Sequence, residues 1–313
     1  MNKNNTAFAN IIGQDAIKSR LKFAIQAAES GRPLPHFLFV GPMGSGKTSF
    51  VRELAKQLKD GEGKRRSYFE VNCSTIKNLD QFMEQIVMPR IFDRDCTVLL
   101  DEAHCLPKNV VMFLLTVFNT EKSHIRVVPY GESEVTFDFC RQSIHLATTE
   151  PDKLFKPLKS RLETLALATY KPTELAEIVQ HHVPDVEFED NVVEEIVQSL
   201  RGTPRSAVQM ARKIDDYCSI KGRHIFDSFD FANLSSIADI KAHGLDSVEI
   251  SILSLLQERG EMTLNEISAT LSLSRTSLMN DHEHHLLKKG FMRVQGKRKI
   301  TPKGVEVLKY VKK

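Results

Sequence analysis

Two rhythms of apolar residues run along this chain: short unbroken runs, and longer stretches spaced like one face of a helix. Asp15 to Ser30 places Ile17, Leu21, Ala24, Ile25 and Ala28 on one side, which predicts an amphipathic helix. HFLFV (His36–Val40) follows as a compact apolar run of the kind a strand buried on both faces requires. Further strands are predicted at Tyr68–Asn72, Thr97–Leu100 and Ser143–Thr149, with helices at Ser49–Leu58 and Lys108–Thr120. Ile125–Tyr130 and Glu134–Phe139, joined at Gly131–Ser133, read as a hairpin. Strands alternating with helices predict an α/β domain around a parallel sheet.

The rhythm changes at Tyr170-Lys171-Pro172-Thr173. From Glu174 to Phe231 every segment has helical spacing, which predicts a smaller all-α domain. RGTPR (Arg201–Arg205) breaks one of its helices and starts another, with Pro204 suited to a first turn. From Gly244 the order becomes helix (Asp246–Glu258), helix (Thr263–Leu271, opened by a T-x-x-E capping box) and helix (Ser274–Lys288). Strands Phe291–Val294 and Lys299–Thr301, joined by QGKR, and a helix opened by Pro302 complete a winged-helix pattern. The predicted domains are residues 1–170, 171–243 and 244–313.

Composition adds exclusions. No run approaches the roughly 20 apolar residues of a membrane span, and MNKNNTAFAN lacks the apolar region of a signal peptide, so a cytoplasmic protein with no membrane partner is expected. Five cysteines form no C-x-x-C pair, and Cys96 and Cys140 lie in strand-like runs, so reduced and mostly buried thiols are expected. Charge is uneven: the net value is +3, yet Leu286–Lys313 holds ten bases and one acid against 33 bases and 39 acids elsewhere. A basic end on an acidic chain points to a polyanion contacted by that end. HEHH (His282–His285) lacks the H-E-x-x-H spacing and shows no matching acid or Cys cluster, so no metal site is expected there.

The chemistry centres on GPMGSGKT, Gly41 to Thr48, which fills every fixed position of G-x-x-x-x-G-K-[ST] between a strand and a helix. Gly41, Gly44 and Gly46 let backbone N–H groups curl around phosphate oxygens, and the following helix N-terminus adds partial positive charge. Ser45 and Ser49 belong to the same cradle. Lys47 can reach the β- and γ-phosphates, and Thr48 can ligate Mg2+. CTVLLDEAH (Cys96–His104) ends a buried strand in Asp101 and Glu102, 54 residues after Lys47. That is the Walker B arrangement, in which Asp101 holds Mg2+ through water and Glu102 polarises the attacking water. The letters DEAH also occur in superfamily-two helicases, whose later motifs are not found in this sequence. Thr149, at the end of SIHLATT, takes the sensor-1 position of AAA+ ATPases. Arg161 in KPLKSRLE stands where ring ATPases project an arginine into the neighbour's site, and Arg205 stands where sensor 2 reaches back to the phosphates. In the winged helix, Arg275 opens the presumed recognition helix, and Arg293, Lys297, Arg298 and Lys299 would carry the wing to DNA phosphates.

Along nearly its whole length the chain resembles the RuvB family of bacterial Holliday-junction branch-migration motors. The landmarks are IIGQ (Ile11–Gln14), GPMGSGKT, LLDEAH, HLATTEPDKL, KPLKSRLE, TYKPTELAEIV, RGTPR, GLDSVEISIL and KKGFMRV followed by TPKG, in that order. The resemblance implies an AAA+ P-loop domain, a helical lid, a C-terminal winged helix and a hexameric ring around duplex or four-way-junction DNA, using ATP and Mg2+. It also implies Ile12, Tyr170 and Pro204 around the adenine, with Ile11 beside them, and Arg161 acting in trans. Lys159 and Ser160 replace the family's usual Arg and Asp before the finger, and Met43 and Ser45 replace two P-loop positions without removing a phosphate contact. The hairpin that docks RuvA in the family differs at Ile125–Phe139, which leaves open a RuvA-like or another adaptor. Two other functions fit the same domains: a DNA-binding ATP switch resembling archaeal replication initiators, and an adaptor-dependent loader. The RGTPR and wing strings favour the motor.

Overall fold

The apolar run after His36 forms a strand whose side chains are buried on both faces, and the first part of the molecule is layered around it. The computed structural model describes residues 7–119, 125–130, 133–189 and 191–311. The chain separates into two units, residues 1–170 and 171–313.

The first unit runs α1 (Asp15–Glu29), β1 (Phe37–Val40), α2 (Lys47–Gln57), β2 (Ser67–Asn72), α3 (Leu79–Phe82), β3 (Cys96–Asp101), α4 (Lys108–Val117), β4 (Ile125–Tyr130), β5 (Ser133–Asp138), β6 (Gln142–Thr148), α5 (Lys156–Lys159) and β7 (Glu163–Ala166). Five strands form a sheet in the order β2-β3-β6-β1-β7, every neighbouring pair parallel. Parallel neighbours need crossover connections, which cover both faces and explain the continuous apolar strands. Leu38, Val98, Leu100, Ile144 and Leu146 point to one side, against Phe82, Val87, Val110 and Leu114. Phe37, Phe39, Leu99, Ala147 and Leu165 point to the other, against Leu21 and Ile25 of α1 and Phe50 and Leu54 of α2. Thr97, Thr148 and His145 are polar side chains wholly buried in the sheet, the largest being His145. Its Nδ1 accepts the Phe37 N–H at 3.2 Å, and burial, helped by the neighbouring His36, pushes its pKa down to about 3.

Some expectations shift. The helix from Lys108 stops at Val117, and Thr120 lies outside the described residues, as do Gly131 and Glu132 of the hairpin turn. Cys140 falls in a 3-10 turn (Phe139–Arg141) rather than a strand, because the chain must turn from the hairpin into β6. Among the described cysteines Cys73, Cys96 and Cys218 are buried and Cys105 is exposed, all unpaired. Burial pushes the Cys96 thiol up to about 11, which keeps it protonated. The stretch after α3 is a widened π-helical segment, Met83–Ile91, around Pro89, which has no N–H to donate.

The second unit runs α6 (Pro172–His181), β8 (Glu187–Phe188), α7 (Val192–Gln198), α8 (Pro204–Lys221), β9 (Ile225–Phe226), α9 (Ser228–Ile237), α10 (Ser247–Arg259), α11 (Leu264–Leu271), α12 (Arg275–Ser277), α13 (His284–Lys289), β10 (Met292–Gln295), β11 (Lys297–Ile300) and α14 (Pro302–Val311). Its helical part is not purely helical: β8 and β9 pair in parallel, fixed by Phe226, which packs edge-on to Phe188 and Tyr217. Thr203 caps α8, with Pro204 in the first turn. Thr263 and Glu266 close the capping box the sequence announced, at 2.6 Å and 3.3 Å. The third helix of the winged part is not continuous α-helix: α12 passes through a π-helical segment, Leu278–Glu283, into α13. The flap turns about Gly296 (φ 71°) with Gln295 opposite Lys297, a tighter connection than QGKR suggested. Leu253, Leu256, Ile267, Leu286, Phe291 and Leu308 make the core beneath it. Among the described residues no helix is long and apolar enough to cross a membrane.

Candidate nucleotide site and nucleic-acid interface

Because the strands are parallel, the segments following β1, β3 and β6 all emerge at one edge, with β6 between the other two. Ligands of open α/β sheets bind at that edge. After β1 the chain turns through Gly44 and Gly46 at φ 74° and 99°, conformations that side chains disfavour. A Cβ on Gly41 would sit 2.8 Å from Ser45 Oγ and 3.1 Å from Leu167 Cβ, so glycine is required there for packing alone. Lys47 is buried, its ammonium donating to the carbonyls of Gly41 (2.9 Å) and Pro42 (3.1 Å). Ser45 Oγ is buried with no hydrogen-bond partner among the described residues. A buried ammonium and an unmatched hydroxyl in one glycine-lined turn fit the oxygens of a phosphate chain. Ser49 stands exposed in the first turn of α2.

The carboxylates meet this loop from β3. Thr48 Oγ1 donates to Asp101 Oδ2 at 3.3 Å, and the Glu102 N–H donates to Asp101 Oδ1 at 2.9 Å. A threonine hydroxyl touching a carboxylate is a hard oxygen pair suited to Mg2+. Glu102 has a left-handed backbone (φ 52°, ψ 47°), a strained conformation that turns its side chain away from the strand direction. Thr149 lies one residue past β6 and donates to Glu102 Oε2 at 3.2 Å.

One further side chain, not marked out by its motif, joins this group. His104 lies 3.4 Å from Glu102 Oε2 through Nδ1, which also meets Thr148 Oγ1 at 3.0 Å, while its Nε2 lies 3.2 Å from Glu150 Oε1. The imidazole thus bridges two carboxylates, those of Glu102 and Glu150. Glu150 in turn is held below the usual carboxylate range, chiefly by its hydrogen bond from Lys153. The only signal in the sequence was the last letter of DEAH.

Other candidates are partly gathered. Gln14 exchanges two hydrogen bonds with Ala168, at 2.7 Å and 2.9 Å, which pins the IIGQ segment beside the stretch leading to Tyr170. Ile11 is buried and Ile12 half-buried. Tyr170 is buried, its hydroxyl 3.7 Å from where a Gly46 Cβ would stand. Arg161 is half-buried and donates to the Pro157 carbonyl at 2.8 Å. Pro204 and Arg205 belong to the second unit, where Arg205 is exposed in the first turn of α8.

The comparisons with known proteins follow the same division. Residues 37–170 match the family model described as ATPase family associated with various cellular activities, and residues 242–309 match the RuvB C-terminal winged helix domain. Along nearly its whole length the chain is similar to RuvB proteins. It is 29% identical over 309 residues to the Holliday junction branch migration complex subunit RuvB of Thermotoga petrophila, covering 96% of this chain and 90% of that one. The Lactococcus lactis subunit is 27% identical over 315 residues, covering 97% and 91%. A solved structure of a Thermotoga maritima RuvB variant superposes with a TM-score of 0.79 at 26% identity, covering 97% and 98%. The structure titled Thermotoga maritima RuvB Holliday junction branch migration motor superposes with a TM-score of 0.75 at 27% identity, covering 95% of each chain.

In this chain the wing does not present all its predicted cations alike. Arg275 is exposed at the start of α12, and Arg293 and Lys297 are exposed on the flap. Arg298 stands apart. Its guanidinium forms a two-pronged pair with Glu283 of the third helix, both contacts 3.1 Å, with only 13% of the side chain exposed, so its charge is already matched inside the fold. Lys299 donates to Glu261 at 2.9 Å but stays half-exposed. That pair, with Arg293 and Lys297 nearby, holds the Glu261 carboxyl below its ordinary range.

Proposed function

We propose that this chain is a cytoplasmic, ATP-driven motor that moves branched duplex DNA, a RuvB-type branch-migration ATPase working as a hexameric ring. The observation that carries the reading is the convergence of Lys47, the Thr48–Asp101 pair and the Glu102–Thr149 pair at one sheet edge, on a chain whose end matches the RuvB winged helix. In hydrolysis Glu102 accepts hydrogen-bonding from the attacking water, and Thr149, bonded to the same carboxylate, fixes its direction. Water adds to the γ-phosphorus as the bond to the β-phosphate oxygen breaks, giving ADP and phosphate. Lys47 exchanges its loop carbonyls for phosphate oxygens. Mg2+, held by Thr48 and through water by Asp101, would neutralise phosphate charge when bound. Ile11, Ile12, Tyr170 and Pro204 would enclose the adenine, Arg205 would sense the phosphates, and Arg161 would complete a neighbour's site. Arg275, Arg293, Lys297 and Lys299 would meet DNA phosphates. The hairpin β4–β5, whose Ile125 and Val127 are exposed, is the surface for a RuvA-like or other adaptor.

The test pairs nucleotide binding with turnover on four-way junctions. Lys47→Ala should lose nucleotide binding, while Glu102→Gln should bind ATP and lose at least about 10²-fold in kcat. Turnover of Glu102→Gln at the parental rate would overturn the assignment of the base, and junctions left unmoved by the parent would overturn the motor.

A further inference from the structure

HEHH, set aside in the sequence for want of acids, has them in the fold. Asp246 and Glu249 form the capping box of α10, each carboxylate giving one oxygen to the helix start. Asp246 Oδ1 accepts the Glu249 N–H at 2.8 Å, and Glu249 Oε2 accepts the Asp246 N–H at 2.9 Å. The remaining oxygens face one guanidinium. Arg201, the first residue of RGTPR, donates through Nη1 to Asp246 Oδ2 at 3.2 Å and through Nη2 to Glu249 Oε1. His285 Nδ1 meets the same Glu249 oxygen at 2.9 Å, and His282 Nδ1 lies 3.2 Å from Asp246 Oδ2 without hydrogen-bond alignment.

Asp246, Glu249 and His282 bring their ligand atoms within 4.8 Å of one another, a spacing that also suits a metal ion. The cation present is the guanidinium. Glu249 is wholly buried, and a buried carboxylate is tolerated only beside a matched positive charge. Arg201 supplies that charge from another part of the unit.

Three more contacts tie the same loop to the winged part. Arg201 Nη2 also donates to the Asp281 carbonyl at 3.4 Å, within the π-helical turn of the third helix. Lys289 Nζ donates to the Leu200 carbonyl at 3.2 Å. Gly244 (φ 68°) passes so close that a Cβ would stand 2.8 Å from the Ser199 carbonyl. From the third helix, Glu283 continues the connection to Arg298 of the flap.

We propose that Arg201 is a positioning residue for coupling: it clamps the loop carrying Pro204 and Arg205 to α10 and the third helix, so that loop and wing move as one body. The clamp itself rests on geometry; its use in transmission rests on Arg205 meeting nucleotide and the wing meeting DNA, as proposed above. A displacement of the loop is then delivered to the flap without slack.

The full-length chain tests it by two readouts taken together: amide hydrogen exchange, and ATP consumed per four-way junction moved. Arg201→Ala should expose the amides of residues 201–203 and 205, and of the first turn of α10, to several-fold faster exchange. It should keep basal ATPase and junction affinity, yet consume several-fold more ATP per junction moved. Arg201→Lys, which keeps the charge without the fork, should fall between. Glu249→Gln, which keeps the helix cap but removes the buried charge, covers the case in which Arg201→Ala does not fold, and should also uncouple. Faster exchange with an unchanged ATP-to-junction ratio would overturn the coupling role. Unchanged exchange would overturn the clamp. A parent that moves no junctions would instead fail the motor reading, while the exchange result would still decide the clamp.

Discussion

The nucleotide end and the wing both carry clusters of charge, but they use it differently. At the sheet edge the charged and hydroxyl groups of Lys47, Thr48, Asp101, Glu102 and Thr149 hydrogen-bond to one another or to the P-loop across three separate loops, and a left-handed backbone at Glu102 is tolerated to achieve it. On the flap, Arg298 and Lys299 are paired with carboxylates of the winged part, while Arg293 and Lys297 stand exposed. A catalytic site must hold its groups in fixed relation before substrate arrives, whereas a phosphate-tracking surface needs only exposed charge. Counting basic residues therefore overstates the wing, while a motif of eight residues understates the catalytic site.

The sharpest break of that contrast is Arg161, which is tied to its own Pro157 rather than to the Glu102 group. If it completes a neighbour's site, Arg161→Ala should bind ATP normally and lose about 10³-fold or more in kcat. Mixed rings with Lys47→Ala should regain part of the rate, since some interfaces then pair an intact loop with an intact finger. Recovery absent from confirmed mixed rings would confine catalysis to one chain.

His104 sharpens the comparison from within the catalytic end. It touches Glu102, Thr148 and Glu150, so His104→Ala should let the Glu102 carboxylate wander. We expect about a tenfold fall in kcat at little-changed KM for ATP, with partial rescue by His104→Asn. A raised KM at parental kcat would move His104 to the binding of nucleotide instead.

The P-loop and the DEAH strand were legible because their chemistry fixes residue types at fixed spacing, and the parallel sheet was legible because strands buried on both faces are apolar throughout. The contacts of His104 were not, because Thr148 and Glu150 reach it only through the register of β6 beside β3. The partners of HEHH were hidden for the same reason: Asp246 and Glu249 lie 36 residues before His282 and His285, in a different helix. The two-residue pair β8–β9 carries too few residues to show a period. The π-helical turn in the third helix keeps the apolar spacing of an α-helix closely enough to read as one.

The smallest effect separates the cations of the flap from one another. Each phosphate neutralised by Lys or Arg adds about 0.9 to the slope of log affinity against log salt. Arg293 and Lys297 are exposed, so changing both to Ala should lower that slope by up to about 2 per bound wing. Arg298→Ala should leave the slope near the parental value, because its guanidinium is engaged by Glu283. Its removal should appear in stability: a largely buried carboxylate loses its partner, a loss of about 3 kcal/mol in the winged part. Lys299 is intermediate, since its exposed pair with Glu261 can be traded for a phosphate at little expense. Arg275→Ala should weaken binding evenly across sequences in a motor that must pass over any base pair, because phosphate contacts position without reading. If Arg298→Ala lowered the slope by a full unit at unchanged melting temperature, the pair with Glu283 would have to open on DNA. The flap would then use all its cations alike, and the contrast with the nucleotide end would reduce to one of exposure.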